Sequence, residues 1–161
     1  MVVILMGVSG AGKTTIGQLL ARDLGWPFYD GDDFHPQANI DKMRQGIALT
    51  DDDRDSWLAA LQRLIRELLR ESRSAVIACS ALKRSYRDRL LSGEHNVRLV
   101  YLKGDYDLIR KRLQKRQSHF MKADLLASQF ETLEEPEGAL TVDIAQEPGA
   151  IVGLIKRALG L

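Results

Sequence analysis

The sequence predicts an α/β fold in which a mostly parallel sheet carries helices on both of its faces. Short apolar segments alternate with amphipathic helical segments along the 161 residues. That alternation is typical of parallel strands joined by right-handed helical crossovers. Two of the apolar segments, residues 1–6 and 75–79, are continuous apolar runs, which indicates parallel strands buried on both faces.

The first predicted strand leads into a glycine-rich loop. Residues 7–14 fit the pattern G-x-x-x-x-G-K-[ST] between a strand and a helix, which indicates a phosphate-binding loop rather than a turn that binds nothing. Its inward N–H groups and the following helix N-terminus form a positive cradle, where Lys13 can reach the β- and γ-phosphates and Thr14 can ligate Mg²⁺. The nucleotide-binding residues expected here are Gly7, Val8, Ser9, Gly10, Ala11, Gly12, Lys13, Thr14 and Thr15.

The second predicted strand ends in a group of carboxylates. A helix follows the loop and stops at Gly25, and a short strand from Phe28 then runs into the acidic stretch 30–33. In α/β sheets, ligands bind beyond the carboxyl ends of the strands. Asp30 can therefore hold Mg²⁺ through water, and Asp32 can orient or deprotonate a substrate hydroxyl. The alternative is a solvated acidic turn that caps a helix.

Two helices are predicted after the acidic stretch. The first is short and ends at Gly46, and His35 before it is a candidate contact to a polar substrate beside Asp32. The second is long and starts at Thr50, an N-cap that is followed by acidic residues at 51–53 in the first turn. Arg54 is either a solvated arginine of that turn or an anion-binding arginine in a cleft.

Three further strands alternate with helices in the rest of the chain. The predicted elements are strands at 75–79, 97–102 and 140–144, and helices that end near Leu91, begin after Asp105, cover 123–133 and begin after Gly149. Five cations crowd into residues 110–116. Because like charges at such spacing repel, we expect an anion to compensate them. This favours a mobile lid at about 112–124 that closes over the triphosphate, and a solvated basic face is the alternative.

Composition restricts the class of protein. The length fits a single domain over residues 1–161. A net charge of +1 gives no signal for nucleic acid or for an anionic membrane, and no apolar run approaches the length of a membrane span. The single cysteine, Cys79, excludes an internal disulfide and fits a reducing compartment. The apolar N-terminal run is too short for a signal peptide. We therefore expect a cytoplasmic protein.

The chain resembles the gluconate kinase (gluconokinase) family along nearly its whole length. The blocks that carry the resemblance are the loop at 7–14, DGDDFHP at 30–36, NIDKM at 39–43, LTDDDR at 49–54, WL at 57–58, CSALK at 79–83, YRD at 86–88, YLKGD at 101–105, HF at 119–120 and SQFETL at 128–133. The family is related to shikimate and nucleoside monophosphate kinases. The resemblance implies a three-layer P-loop fold with strand order 2-3-1-4-5 and a homodimer.

The resemblance also implies a reaction and roles for residues. The reaction is ATP-dependent phosphorylation of the 6-hydroxyl of D-gluconate to 6-phospho-D-gluconate, which feeds the pentose phosphate pathway. Substrate would bind within about residues 30–58. The implied catalytic residues are Lys13, Asp32 and Arg116; Arg112 would lie against adenine; Asp32, His35, Arg54, Lys83 and Gln129 would contact gluconate; and Mg²⁺ would rest on Thr14 and Asp30.

Two alternatives are a kinase for another small acceptor, such as shikimate, and a nucleotide switch or binding module. A shikimate kinase should have a glycine-rich turn after the third strand, where this chain has CSALK. A GTP switch would need Asn-Lys-x-Asp, but Asn39 is followed by Ile40, and Asn96 by Val97. An adaptor ATPase is not excluded by motif, although it would leave Asp32 and its neighbours without a purpose.

Overall fold

A five-stranded parallel sheet forms the centre of the computed structural model, which describes residues 1–116 and 123–161. The strands are β1 (Val2–Met6), β2 (Phe28–Asp30), β3 (Ala75–Ala78), β4 (Val97–Lys103) and β5 (Leu140–Asp143). They are ordered β2-β3-β1-β4-β5, and Ile4 of β1 lies opposite Ile77 of β3 and Leu99 of β4. This arrangement confirms the predicted fold class and strand order.

The helices connect the strands as the sequence predicts. They are α1 (Lys13–Leu24), α2 (Gln37–Arg44), α3 (Asp51–Arg70), α4 (Arg84–Leu91), α5 (Tyr106–Lys115), α6 (Ala123–Thr132) and α7 (Pro148–Leu159), with a 3₁₀ turn at Gly31–Phe34. The end of α1 is set by Gly25, which has a φ of 66° and donates its N–H to the carbonyls of Ala21 and Arg22. Within the described residues, none of these helices has the length and apolar character needed to cross a bilayer.

Two apolar layers, one on each face of the sheet, make up the core. On β1, Val3 and Leu5 belong to one layer, which α1, α5 and α7 complete. Val2, Ile4 and Met6 of the same strand belong to the other, which α3 and α4 complete. Since both faces of β1 are covered, its sequence is a continuous apolar run instead of an alternating one.

Gly31 lets the chain pass closely against β3 immediately after β2. A Cβ atom at this position would lie 2.5 Å from the carbonyl oxygen of Ala78. Any other residue would therefore push the two segments apart. This close approach brings Asp32 to the carboxyl edge of the sheet, where the phosphate loop also begins.

Candidate active site

The loop at residues 7–14 is curled between β1 and α1. Lys13 Nζ donates hydrogen bonds to the carbonyl oxygens of Gly7 at 2.9 Å and Val8 at 3.0 Å. Gly10 has a φ of 83°, and a Cβ there would lie 2.9 Å from Leu113 Cγ, so α5 packs directly on the loop. The side chain of Lys13 therefore folds back over the loop. At position 10, where the loop contacts α5, only glycine fits.

Lys13 and Asp32 interact electrostatically beside the loop. Burial lowers the pKa of Lys13, and the negative charge of Asp32 opposes that shift. Asp32 is exposed to the cleft, yet neighbouring protein atoms displace enough water to raise its pKa, against the effect of Lys13. Arg116, at the exposed end of α5, also lowers the pKa of Lys13, so its field reaches the loop. A cation and a carboxylate therefore face the space next to the loop.

Thr14 and Asp30, the two predicted metal ligands, are hydrogen-bonded to each other. Thr14 Oγ1 donates to Asp30 Oδ2 at 3.0 Å, and the other carboxylate oxygen of Asp30 accepts the N–H of Asp32 at 3.0 Å. Across residues 1–116 and 123–161, no group of three or more His, Cys, Asp or Glu side chains could hold a metal ion. The two oxygen donors fit Mg²⁺, which takes few protein ligands and completes its shell with waters and substrate phosphates.

A cleft of about 260 Å³ opens beside the loop. The structure brings together there the predicted substrate residues, which are spread over nearly 100 positions of the chain. They are Asp32, His35, Arg54, Lys83 and Gln129, and Lys13 lies beside them. An apolar wall completes the cleft, with contributions from Met43, Ile47, Leu49, Trp57, Leu82 and Leu125. The cleft has the mixed polar and apolar lining of a small-molecule site.

His35 is a neutral ring held against a tryptophan. Its ring stacks on Trp57, with centroids 4.5 Å apart and 10° between the planes. Trp57 Nε1 in turn donates to the buried carbonyl oxygen of Gly31 at 2.7 Å. Burial lowers the pKa of His35 to about 4, with a further contribution from the charge of Arg54. The imidazole is therefore uncharged at neutral pH and suited to hydrogen bonds with hydroxyl groups.

The acidic residues at the start of α3 have different roles. The capping box uses Thr50 and Asp53, whose side chains each accept the other's backbone N–H. Asp51 lies in the first turn, as predicted, and it also accepts hydrogen bonds from Lys83 Nζ at 2.9 and 3.1 Å and from Tyr86. The hydrogen bond from Tyr86 is the largest of the effects that lower the pKa of Asp51. Asp51 thus binds the side chain of Lys83.

Arg54 and Lys83 form a cationic corner of the cleft. Arg54 Nη1 donates to the carbonyl oxygen of Leu49 at 2.6 Å. The guanidinium of Arg54 and the ammonium of Lys83 each lie 5.7 Å from the ring centroid of Tyr86. Two positive groups are therefore gathered around one tyrosine and one carboxylate, Asp51.

Gln129 connects α6 with the phosphate loop. Its Oε1 accepts the backbone N–H of Ser9 at 2.7 Å. Because a carboxamide oxygen faces Ser9, the NH₂ group remains for the cleft.

Arg112, predicted beside adenine, donates to the carbonyl oxygen of Ile144 at 2.6 Å, after the end of β5. Most of the predicted lid, residues 117–122, lies outside the described residues, so the lid stays a prediction.

Sequence reasoning missed three side chains of the site. Trp57 is an aromatic residue that reads as core, Tyr86 has no motif of its own, and Asn39, whose Nδ2 lies 3.2 Å from His35 Nδ1, appears only as a member of a family block. All three lie inside the blocks that carry the resemblance, and this was the signal that could have identified them.

Comparison with known proteins agrees with this geometry. The family model described as shikimate kinase matches residues 9–145. The chain is 46% identical to the thermoresistant gluconokinase of Escherichia coli strain K12, over 92% of this chain and 87% of that protein. The crystal structure of a gluconokinase from Sinorhizobium meliloti 1021 has a TM-score of 0.85 at 43% identity, covering 98% of this chain and 93% of that one. A shikimate kinase from Aquifex aeolicus, at 19% identity and a TM-score of 0.66 over 99% of this chain and 96% of that one, shares the fold.

Proposed function

The chain belongs to the gluconokinase family, and from that premise we propose that it transfers the γ-phosphoryl group of ATP to the 6-hydroxyl of D-gluconate. The products are ADP and 6-phospho-D-gluconate. One observation supports this beyond the family relationship: the cleft beside the phosphate loop has a carboxylate, Asp32, near Lys13 and a cationic corner, Arg54 and Lys83. Gluconate has a hydroxyl at one end and a carboxylate at the other, so its two ends match the two sides of the cleft.

The acceptor hydroxyl lies against Asp32 in this proposal. Phosphoryl transfer through a loose transition state depends mainly on positioning and charge neutralisation. Asp32 can orient the hydroxyl and accept its proton as the new P–O bond forms. The raised pKa of Asp32 makes it a better proton acceptor than an ordinary aspartate.

The phosphate side is served by the loop. Lys13 exchanges its present carbonyl partners, Gly7 and Val8, for phosphate oxygens, and the loop N–H groups hold the same chain of phosphates. Arg116 adds a second positive charge near the transferred group. Thr14 and Asp30 would hold Mg²⁺, directly or through water, and the ion would neutralise phosphate charge.

The carboxylate side is served by Arg54 and Lys83. The two cations attract an anionic substrate, and the neutral ring of His35 and the amide of Gln129 provide hydrogen bonds to the hydroxyls between the two ends. Because Lys83 is already paired with Asp51, the two cations and this carboxylate leave one net positive charge, which a sugar acid would compensate and an uncharged sugar would not.

The test is ADP release from Mg·ATP by the purified protein, with D-gluconate, D-glucose, shikimate, a nucleoside monophosphate or no acceptor. We expect release that depends on gluconate and that is abolished by Lys13→Ala, with the circular dichroism spectrum retained. Release at the same rate with every acceptor and with none would refute the proposed substrate. Turnover that survives Lys13→Ala would refute the role of the loop.

A further inference from the structure

Asn39 is a buried amide in contact with the cleft histidine. It lies on α2 and is 3% exposed. Its Nδ2 is 2.7 Å from the carbonyl oxygen of Asp53 and 3.2 Å from Nδ1 of His35. A carbonyl oxygen only accepts hydrogen bonds, so the Asn39 atom that faces Asp53 must be the NH₂ group. That group has two protons, one for each of its two neighbours.

The contact decides which nitrogen of His35 carries the proton. Since Asn39 donates, Nδ1 of His35 must accept, and a neutral imidazole with an accepting Nδ1 has its proton on Nε2. The low pKa of His35 keeps the ring neutral above about pH 4. Stacking on Trp57 fixes the plane of the ring. Nε2 is then the ring nitrogen left for a molecule in the cleft, which His35 lines.

We propose that Asn39 is a positioning residue that fixes the tautomer of His35, so that the ring offers an N–H donor from Nε2 to a hydroxyl oxygen of the substrate. The identity of that substrate rests on the proposed function, whereas the tautomer rests on the contacts of Asn39 alone. The orientation of the Gln129 amide is also fixed by a hydrogen bond. Its oxygen accepts the N–H of Ser9, so its NH₂ group is left for the cleft. The cleft therefore recognises the middle of a polyol chain with donors, and Asp32 accepts from the hydroxyl at its end.

The tautomer is read directly from the wild-type protein. In ¹⁵N-histidine-labelled protein at pH 7, two-bond ¹H–¹⁵N correlation spectra, assigned with His35→Gln, distinguish protonated from bare ring nitrogens. We expect His35 to have a bare Nδ1 and a protonated Nε2. A proton on Nδ1, or on both nitrogens, overturns the role of Asn39 whatever the protein phosphorylates.

Asn39→Asp keeps the shape of the side chain and replaces its NH₂ donor by an acceptor oxygen. Because the new carboxylate favours the charged ring, the comparison is made at pH 8.5, where we expect a neutral His35 with its proton on Nδ1 and a KM for gluconate about tenfold higher, the effect of one lost hydrogen bond to substrate. The KM for ATP and kcat should stay within about twofold, since the contacts of the loop are unchanged. Asn96→Asp, at the exposed second asparagine of the chain, adds the same charge and should change none of these values.

Adding Asn39→Asp to the His35→Gln protein distinguishes a positioning role of Asn39 from a purely structural one. In His35→Gln the amide NH₂ can replace the Nε2 donor and has no tautomer, so adding Asn39→Asp should raise the KM for gluconate less than about twofold. An equal rise in both backgrounds, or a loss shared with the KM for ATP, would make Asn39 a structural residue only. If Asn39→Asp does not fold, the tautomer of His35 in the wild-type spectrum still tests the proposal. Wild-type protein with the expected tautomer but no turnover of gluconate would overturn the proposed function instead.

Discussion

Replacement of Trp57 by phenylalanine tests whether the core layer that contains α3 also supports the site. Trp57 is 1% exposed, donates to the carbonyl oxygen of Gly31 at 2.7 Å and supports the ring of His35. Phenylalanine keeps an aromatic ring but has no N–H group. Trp57→Phe therefore removes one donor from a buried carbonyl and shortens the surface on which the histidine stacks.

The magnitude follows from these contacts. Leaving a buried carbonyl without its donor costs about 1–3 kcal/mol, and the lost apolar surface of the larger ring adds about 1 kcal/mol. We expect the free energy of unfolding to fall by about 2–4 kcal/mol, which lowers Tm by about 5–15 °C for a chain of this length. The KM for gluconate should also rise, by about three- to tenfold, because His35 loses part of its support.

Urea unfolding, followed by circular dichroism, measures the free energy of unfolding. ADP release at varied gluconate concentrations measures the KM. Trp26→Phe is the matched control, since Trp26 is the second tryptophan of the chain and is half-buried at the edge of the other core layer. Its substitution should cost less than about 1 kcal/mol and leave KM unchanged. An equal loss in both variants, or a loss below about 1 kcal/mol in Trp57→Phe, would refute the reasoning.

Three further outcomes are expected. Asp32→Asn should lower kcat at least about 100-fold with little change in ATP affinity by calorimetry, because only the acceptor hydroxyl loses its partner; an equal loss of ATP affinity would assign Asp32 to the metal instead. Gln129→Glu keeps an acceptor for the N–H of Ser9 but puts a negative charge beside the phosphates, so the KM for ATP should rise about three- to tenfold and more at low salt, with Gln129→Ala as the uncharged control; a KM independent of salt would contradict this. The folded pKa of His35, about 4, lies below its ordinary value of 6.5, so the unfolded chain binds more protons between these values and stability should fall as pH drops from 6.5 to 4. Urea unfolding at pH 7 and pH 5 should give a smaller difference for His35→Gln than for wild type, and equal differences would contradict the assignment.

Local patterns were enough to predict the elements and the phosphate loop. The end of α1 at Gly25 and the start of α3 at Thr50 depend on residues within a few positions of each other. The loop at 7–14 likewise contains its own glycines, lysine and threonine. Residues that interact over such short separations form a recognisable sequence pattern. For this reason the predicted end of α1 and start of α3 agree with the structure.

The family resemblance added the strand order and the set of candidate site residues, which periodicity does not contain. It placed Asp32, His35, Arg54, Lys83 and Gln129 together, and the structure gathers them around one cleft. Their roles toward substrate stay predictions, as do those of Arg112, Arg116 and the lid.

By itself, the sequence determined the α/β class, the loop and the apolar faces of the helices. Only the tertiary structure decided that Asp51 also holds Lys83 and Tyr86, and that Trp57 belongs to the site as well as to the core. The physical reason is the separation along the chain: Trp57 meets Gly31 from 26 residues away, and Asp51 meets Tyr86 from 35. Helical spacing tells which side of α3 is buried, but the partner that a polar atom meets there depends on how the sheet and its helices pack.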